Sequence, residues 1–185
     1  MSGETPRVNM MIIGGKALIF DHKISNELYS KHFIGKPFGE KKPKIGVSYK
    51  GPLELTLLEA VYLCEKNITL PIKNREKIDC ETLKNYAASK DPRFLYTYKV
   101  FKNLREKGYV IRSGMKYGVD YAVYEKGPGL EHAPYLVHVF KYDEEIDPIH
   151  IVRLGRLSHS VRKNLVIAIV YDNTIKYISF GWIRF

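Results

Sequence analysis

The chain has 185 residues, and 30 Lys+Arg against 20 Asp+Glu leave a net charge of +10. That length suits one ordinary domain or two small ones, and 45% hydrophobic with 27% charged residues excludes a disordered tail. A basic chain with 14 Tyr, 8 Phe and 1 Trp points to an anionic partner with flat rings, RNA or DNA rather than a small metabolite.

In chain order, the apolar stretch from Val8 to Ile13 is too short for an export signal and is broken by Gly14-Gly15 and Lys16. Residues 16–21 read as a short strand, and Lys31-His32-Phe33-Ile34 as a second. Residues 36–50 change in texture, with five lysines, one glutamate, and Pro37, Gly39, Pro43 and Gly46 blocking regular structure. This is a basic loop, open to solvent, about as long as compact domains tolerate without a function. Thr56-x-x-Glu59 is a capping box for a helix carrying Leu57, Val61 and Cys64 on one face. A short apolar run at 68–72 follows, then Asp79 caps a helix with Leu83, Tyr86 and Ala87. Cys64 and Cys80 lie at apolar helical positions and read as buried free thiols; two cysteines exclude a disulfide scaffold and a four-cysteine zinc site.

Asp91-Pro92 punctuates the chain, and the domain boundary is expected near residue 90, giving units 1–90 and 91–185. The next helix aligns Phe94, Tyr98, Phe101 and Leu104 and stops at Gly108. Strands then dominate. Tyr109-Val110-Ile111 leads to a turn at Ser113-Gly114, and Val119, Tyr121 and Val123 alternate as in a half-buried strand. Another strand runs over 135–140, a helix over 149–163 with a break at Gly155, and two strands over 165–171 and 175–183. The expected fold class is α/β (α+β): a small N-terminal α/β domain followed by a C-terminal α/β domain with a mixed sheet.

The longest apolar run, 165–171, falls far short of the ~20 residues of a bilayer span, so a soluble cytoplasmic protein is expected, with no membrane partner. The chain also lacks glutamine entirely. Depleted thermolabile amides with abundant Lys and Glu accord with a hot environment.

Negative searches narrow the chemistry. There is no GxxxxGK[ST] phosphate loop, no G-x-G-x-x-G, no H-E-x-x-H and no G-x-S-x-G. Asp21 with Glu40-x-Lys42 is a loose match to a metal-nuclease site, but Glu40 sits in the Pro/Gly-rich loop. Neither a metal nor another cofactor is expected.

Three blocks in the C-terminal half carry a resemblance. Gly108-Tyr109-Val110-Ile111 with Gly114-Met115-Lys116-Tyr117-Gly118-Val119-Asp120-Tyr121 is similar to the first motif of the archaeal tRNA-intron splicing endonucleases. Glu131-His132-Ala133-Pro134-Tyr135-Leu136-Val137 resembles their second block, and Ser158-His159-Ser160-Val161-Arg162-Lys163 their third. Order and spacing also fit, and the match spans about residues 53–185. The resemblance implies a nuclease-like C-terminal domain and a catalytic set of Tyr117, His132 and Lys163.

Those residue types suit RNA cleavage. RNA carries its own nucleophile, the 2′-hydroxyl beside the scissile phosphate. Cutting then needs a base, an acid and a cation, and no metal. Histidine titrates near neutrality and suits the acid. Lysine supplies positive charge where negative charge develops. Tyrosine, implied as base, ordinarily ionises near pH 10, and an adjacent ammonium such as Lys163 favours its phenolate. The resemblance further implies that Arg156 and Trp182 pin a flipped bulge base, which a guanidinium and an indole can do by stacking.

The loop at 36–50 resembles the insertion of crenarchaeal catalytic subunits. Its Lys41, Lys42 and Lys44 have only Glu40 nearby in sequence, so a phosphate backbone is their natural partner. Excising an intron takes two cuts a fixed distance apart, which a symmetric assembly supplies. The insertion favours a heterotetramer with a non-catalytic paralogue, the homotetramer being the alternative. The expected activity is cleavage of bulge–helix–bulge precursor tRNA; a non-catalytic RNA-binding scaffold subunit is the second reading.

Overall fold

A computed structural model describes residues 7–181, so Trp182 lies outside the described residues. The chain divides into two compact units after Phe94.

The N-terminal unit begins with β1 (Val8–Ile13) and β2 (Lys16–Ile19), an antiparallel hairpin turning on Gly14-Gly15. Val8–Ile13 is therefore a central strand, with Met10 and Ile12 buried. Helix α1 (His22–His32) follows, its N-terminus capped by the Asp21 carboxylate, which accepts from the Ile24 N–H at 2.9 Å. The strand expected at residues 31–34 does not form. Lys31 and His32 complete α1, and Phe33 stops it in the left-handed conformation (φ 53). Leu28 and Tyr29, buried one turn earlier, draw this segment into the helix.

Next come β3 (Lys36–Pro37), β4 (Leu53–Thr56), α2 (Leu57–Glu65), β5 (Thr69–Lys73), β6 (Glu76–Lys77) and α3 (Cys80–Lys90). The sheet order is β3-β4-β2-β1-β5-β6, antiparallel except for β1 with β5. Thr56 and Glu59 form the expected capping box of α2, and Asp79 caps α3. Glu59 does more than cap: its other carboxylate oxygen accepts the Gly35 N–H at 2.8 Å. Gly35 has φ +73, and a Cβ there would meet Leu53 and Leu55 at 2.7 Å, so only glycine fits.

The loop from 38 to 50 is irregular, as its prolines and glycines require, but it is not open. Tyr49 and Asn26 exchange two hydrogen bonds (2.7 and 3.0 Å), and the Tyr29 hydroxyl donates to the Pro43 carbonyl at 2.9 Å. The loop thus lies against α1 while Lys41, Lys42 and Lys44 remain exposed.

The cysteines differ from expectation. Cys64, in the last turn of α2, and Cys80, the first residue of α3, form a disulfide, so neither is a free thiol. The β5–β6 hairpin returns the chain to α2 and sets their Cα atoms 5.7 Å apart, within bonding geometry.

The C-terminal unit consists of α4 (Phe94–Glu106), β7 (Val110–Ser113), β8 (Tyr121–Tyr124), β9 (Tyr135–Lys141), α5 (Pro148–Ser160), β10 (Asn164–Val170) and β11 (Ile175–Phe180). The sheet order is β11-β10-β9-β8-β7, and only β9 with β10 is parallel, joined by the crossover helix α5. Strand β8 is buried on both faces rather than half-buried. Ala122 joins Leu136, Phe140, Leu154 and Leu165 in one core cluster, while Tyr121 donates to the Thr97 carbonyl of α4 at 2.9 Å. Helix α5 runs through Gly155 without interruption and ends at Ser160. No helix among the described residues is long and apolar enough to cross a membrane.

Candidate active site

Tyr117 ends a 3-10 turn, Met115–Tyr117, between β7 and β8. Its N–H donates to the Gly114 carbonyl at 2.8 Å, and the Gly118 N–H to the Met115 carbonyl at 3.0 Å. Gly114 lies against the next strand. A Cβ at Gly114 would sit 2.5 Å from the Val119 side chain and 2.8 Å from the Tyr121 backbone, which excludes any other residue. The turn is therefore fixed at both ends, and the half-buried Tyr117 ring packs against the core cluster.

His132 is exposed in the segment leading into β9, beside the buried Ala133. Its neighbour Glu131 closes the preceding turn: one carboxylate oxygen accepts the N–H groups of Glu125 and Lys126, each at 2.6 Å. The Lys126 N–H foremost, with those of Glu125 and Gly127, holds this carboxyl below its ordinary range against the opposing effect of burial. A glutamate serving as a turn clasp leaves no spacing signal in the sequence.

Lys163 joins α5 to β10. Its N–H donates to the Ser158 carbonyl at 2.9 Å, after Arg162 has turned the chain in the left-handed conformation (φ 54). Its Nζ donates to the Ala133 carbonyl at 2.7 Å and lies 5.8 Å from the centre of the Tyr117 ring. The Asn164 N–H bonds the Pro134 carbonyl at 2.9 Å, where the parallel ladder begins. Lys163 thus reaches both the Tyr117 ring and the segment that carries His132.

A second ammonium stands at the same ring. Lys116 Nζ lies 4.7 Å from the Tyr117 ring centre. The Tyr117 side chain beside it holds Lys116 above its ordinary value.

Arg156 is exposed on α5, a helix of 13 residues without a single carboxylate. Lys41, Lys42 and Lys44 belong to the N-terminal unit. Asp21, half of the loose metal-site match, is taken up as the cap of α1. Among the described residues, no three His, Cys, Asp or Glu side chains are grouped to hold a metal ion.

Comparison with known proteins covers both units. A family model described as tRNA intron endonuclease, N-terminal domain, matches residues 9–84, and one described as tRNA intron endonuclease, catalytic C-terminal domain, matches 94–177. A tRNA-splicing endonuclease of Hyperthermus butylicus is 46% identical over 179 residues, 95% of this chain and 98% of the relative. One of Saccharolobus solfataricus is 46% identical over 180 residues, 96% and 99% of the two chains. A third, from Saccharolobus islandicus, is 44% identical over 180 residues, again 96% and 99%. With both units matched and relatives aligned nearly end to end, the chain belongs to the tRNA intron endonuclease family.

Proposed function

We propose that this chain is the catalytic subunit of a tRNA-splicing endonuclease that cuts bulge–helix–bulge precursor RNA without metal. The observation that carries this is Lys163, whose ammonium binds the Ala133 carbonyl beside His132 and stands near the Tyr117 ring. Tyr117 takes the proton of the 2′-hydroxyl as the new bond from O2′ to phosphorus forms. His132 gives its proton to the departing 5′-oxygen as the old bond breaks. Lys163 stabilises the charge on the five-coordinate phosphorus between these events. The products are a 2′,3′-cyclic phosphate and a 5′-hydroxyl.

Cleavage of a bulge–helix–bulge RNA in excess EDTA tests the reading. The expected result is an undiminished rate, with cyclic phosphate at the new 3′ ends. Loss of cleavage in EDTA, restored by Mg²⁺, would overturn it.

Arg156 and Trp182 hold the flipped bulge base in this reading, by stacking worth about 1–3 kcal/mol on an aromatic ring. Lys41, Lys42 and Lys44 grip the phosphate backbone from a loop that is tied to α1, so their ammonium groups are presented rather than trailing. Changing all three to Ala weakens RNA binding, and each lost contact flattens the salt slope by about 0.7–0.9. Affinity for one bulged RNA across a salt series checks this; unchanged slopes would remove the loop from RNA binding. Two cuts require two such subunits, which we assign to a heterotetramer with a non-catalytic paralogue, the homotetramer being the alternative.

A further inference from the structure

The two most exposed large apolar side chains among the described residues are Met115 (83%) and Leu130 (66%). One exposed leucine or methionine calls for no explanation, since much of any protein surface is apolar. Their placement does. Met115 stands two positions before Tyr117, and Leu130 two positions before His132. Both ride on turns whose backbone is held. The Gly118 N–H donates to the Met115 carbonyl at 3.0 Å, within the turn that Gly114 fixes against the next strand. The Leu130 N–H donates to the Gly127 carbonyl at 3.2 Å, and the Glu131 clasp closes the same turn. Lys163 reaches toward both turns, 5.8 Å from the Tyr117 ring centre and 2.7 Å from the Ala133 carbonyl. An apolar tip on a fixed turn meets a ligand with little backbone left to order.

The surroundings indicate the occupant. Lys116 is exposed beside Met115, and Lys126 is exposed in the turn before Leu130. From Gly108 to Lys141 the carboxylates are Asp120, Glu125 and Glu131, and each is engaged within this unit. Asp120 accepts the Val139 N–H at 2.8 Å, Glu125 the Tyr135 hydroxyl at 3.2 Å, and Glu131 two backbone N–H groups. Apolar tips set among cations suit a ligand with both negative charge and flat apolar faces, and a nucleic acid has both. In a duplex, stacking covers those faces; a bulge leaves some of them bare. We propose that Met115 and Leu130 pack against the base faces that a bulge leaves uncovered beside the scissile phosphate, and so give the enzyme a preference for bulged over paired RNA. The proposal rests on the reading of Tyr117 and His132 as catalytic given above. Leucine and methionine serve as apolar wedges against bases in other nucleic-acid complexes. Because such contacts release no counterions, their share of binding does not change with salt.

The test compares two RNAs of equal length, one bulge–helix–bulge and one fully paired, each bound across a salt series. The proteins are wild type, the double variant Met115→Ser with Leu130→Ser, and the exchange Met115→Leu with Leu130→Met. Both positions are exposed, so serine costs the fold little. The serine pair should bind the bulged RNA about tenfold more weakly, the scale of one lost apolar contact, and the paired RNA as wild type does. Its salt slope should match that of wild type. The exchange keeps apolar volume and should keep the preference for the bulged RNA.

An unchanged preference in the serine pair would overturn the proposal. Equal weakening on both RNAs would do the same, since it would mark a grip on phosphate rather than on bare bases. So would a changed molecular mass of the RNA-free serine pair in sedimentation, which would assign the two side chains to a subunit interface. The same loss in the leucine–methionine exchange would mark damage to the turns and also overturn it. A wild type without any preference for bulged RNA, or a fully active His132→Ala, would instead remove the catalytic reading beneath the proposal, and each is read from its own measurement.

Discussion

Replacing His132 with Ala slows cleavage of bulged RNA by about 10²–10⁴-fold, the usual effect of removing one proton-transfer group. The loss is chemical rather than structural. The His132 side chain is exposed, and the loop that carries it is held by other residues: the Glu131 clasp before it and the buried Ala133 after it. Lys163→Ala should be as slow, because in the mechanism proposed above it removes the cation from the developing phosphorane charge. It also frees the Ala133 carbonyl, so Lys163→Arg is a useful second variant, keeping charge and a donor. Single-turnover rates at saturating enzyme, with binding measured separately, check both. A variant that cleaves near the wild-type rate loses its assigned role.

The second large effect concerns stability. Cys64 and Cys80 close a loop of sequence separation 16 between α2 and α3. A crosslink of that span restrains the unfolded chain by about 3 kcal/mol in the loop-entropy account. For a unit of under a hundred residues, a loss of that size lowers the unfolding temperature on the order of 10 °C. Calorimetry with and without a strong thiol reductant, and of Cys80→Ala, should show the fall in the N-terminal unit. Equal unfolding temperatures in both conditions, or two thiols reactive in the native protein, would contradict it. Disulfides belong to oxidising compartments and to intracellular proteins of hyperthermophilic archaea.

That crosslink also marks where the sequence stops being legible. Residue spacing announces helices α2, α3 and α4, because each carries apolar positions on one face beside a recognisable cap or stop: Thr56 with Glu59, Asp79, and Gly108. It does not announce α1. Its cap, Asp21, reads as the end of the strand at 16–21, and the apolar Phe33-Ile34 pair reads as part of a strand of its own. The alternation at Val119–Val123 suggests one wet face, yet α4 covers one side of β8 and the core cluster lies on the other. Burial of a central strand depends on what packs above it, which period two cannot report. Pairing of the two cysteines depends likewise on how the β5–β6 hairpin brings two helices together. In the site, Tyr117, His132 and Lys163 are readable only through motif resemblance. Glu131 and Lys116 stand inside the motif blocks, but their contacts exist only once the turns around them have formed.

The parallel pairing of β9 with β10 has a consequence for the timing of folding. Tyr117, His132 and Lys163 come from three separate stretches of chain, and Lys163 meets the others only where the β10 ladder begins beside Pro134. A parallel pair cannot close locally. It waits for the whole α5 crossover to dock, and non-local pairings of this kind are among the slower steps a small domain completes. Tyr117 lies on an earlier hairpin connection and can be in place before that event. Lys163 cannot. During refolding, recovery of helical signal therefore precedes recovery of cleavage, and the appearance of activity marks the moment at which the crossover locks.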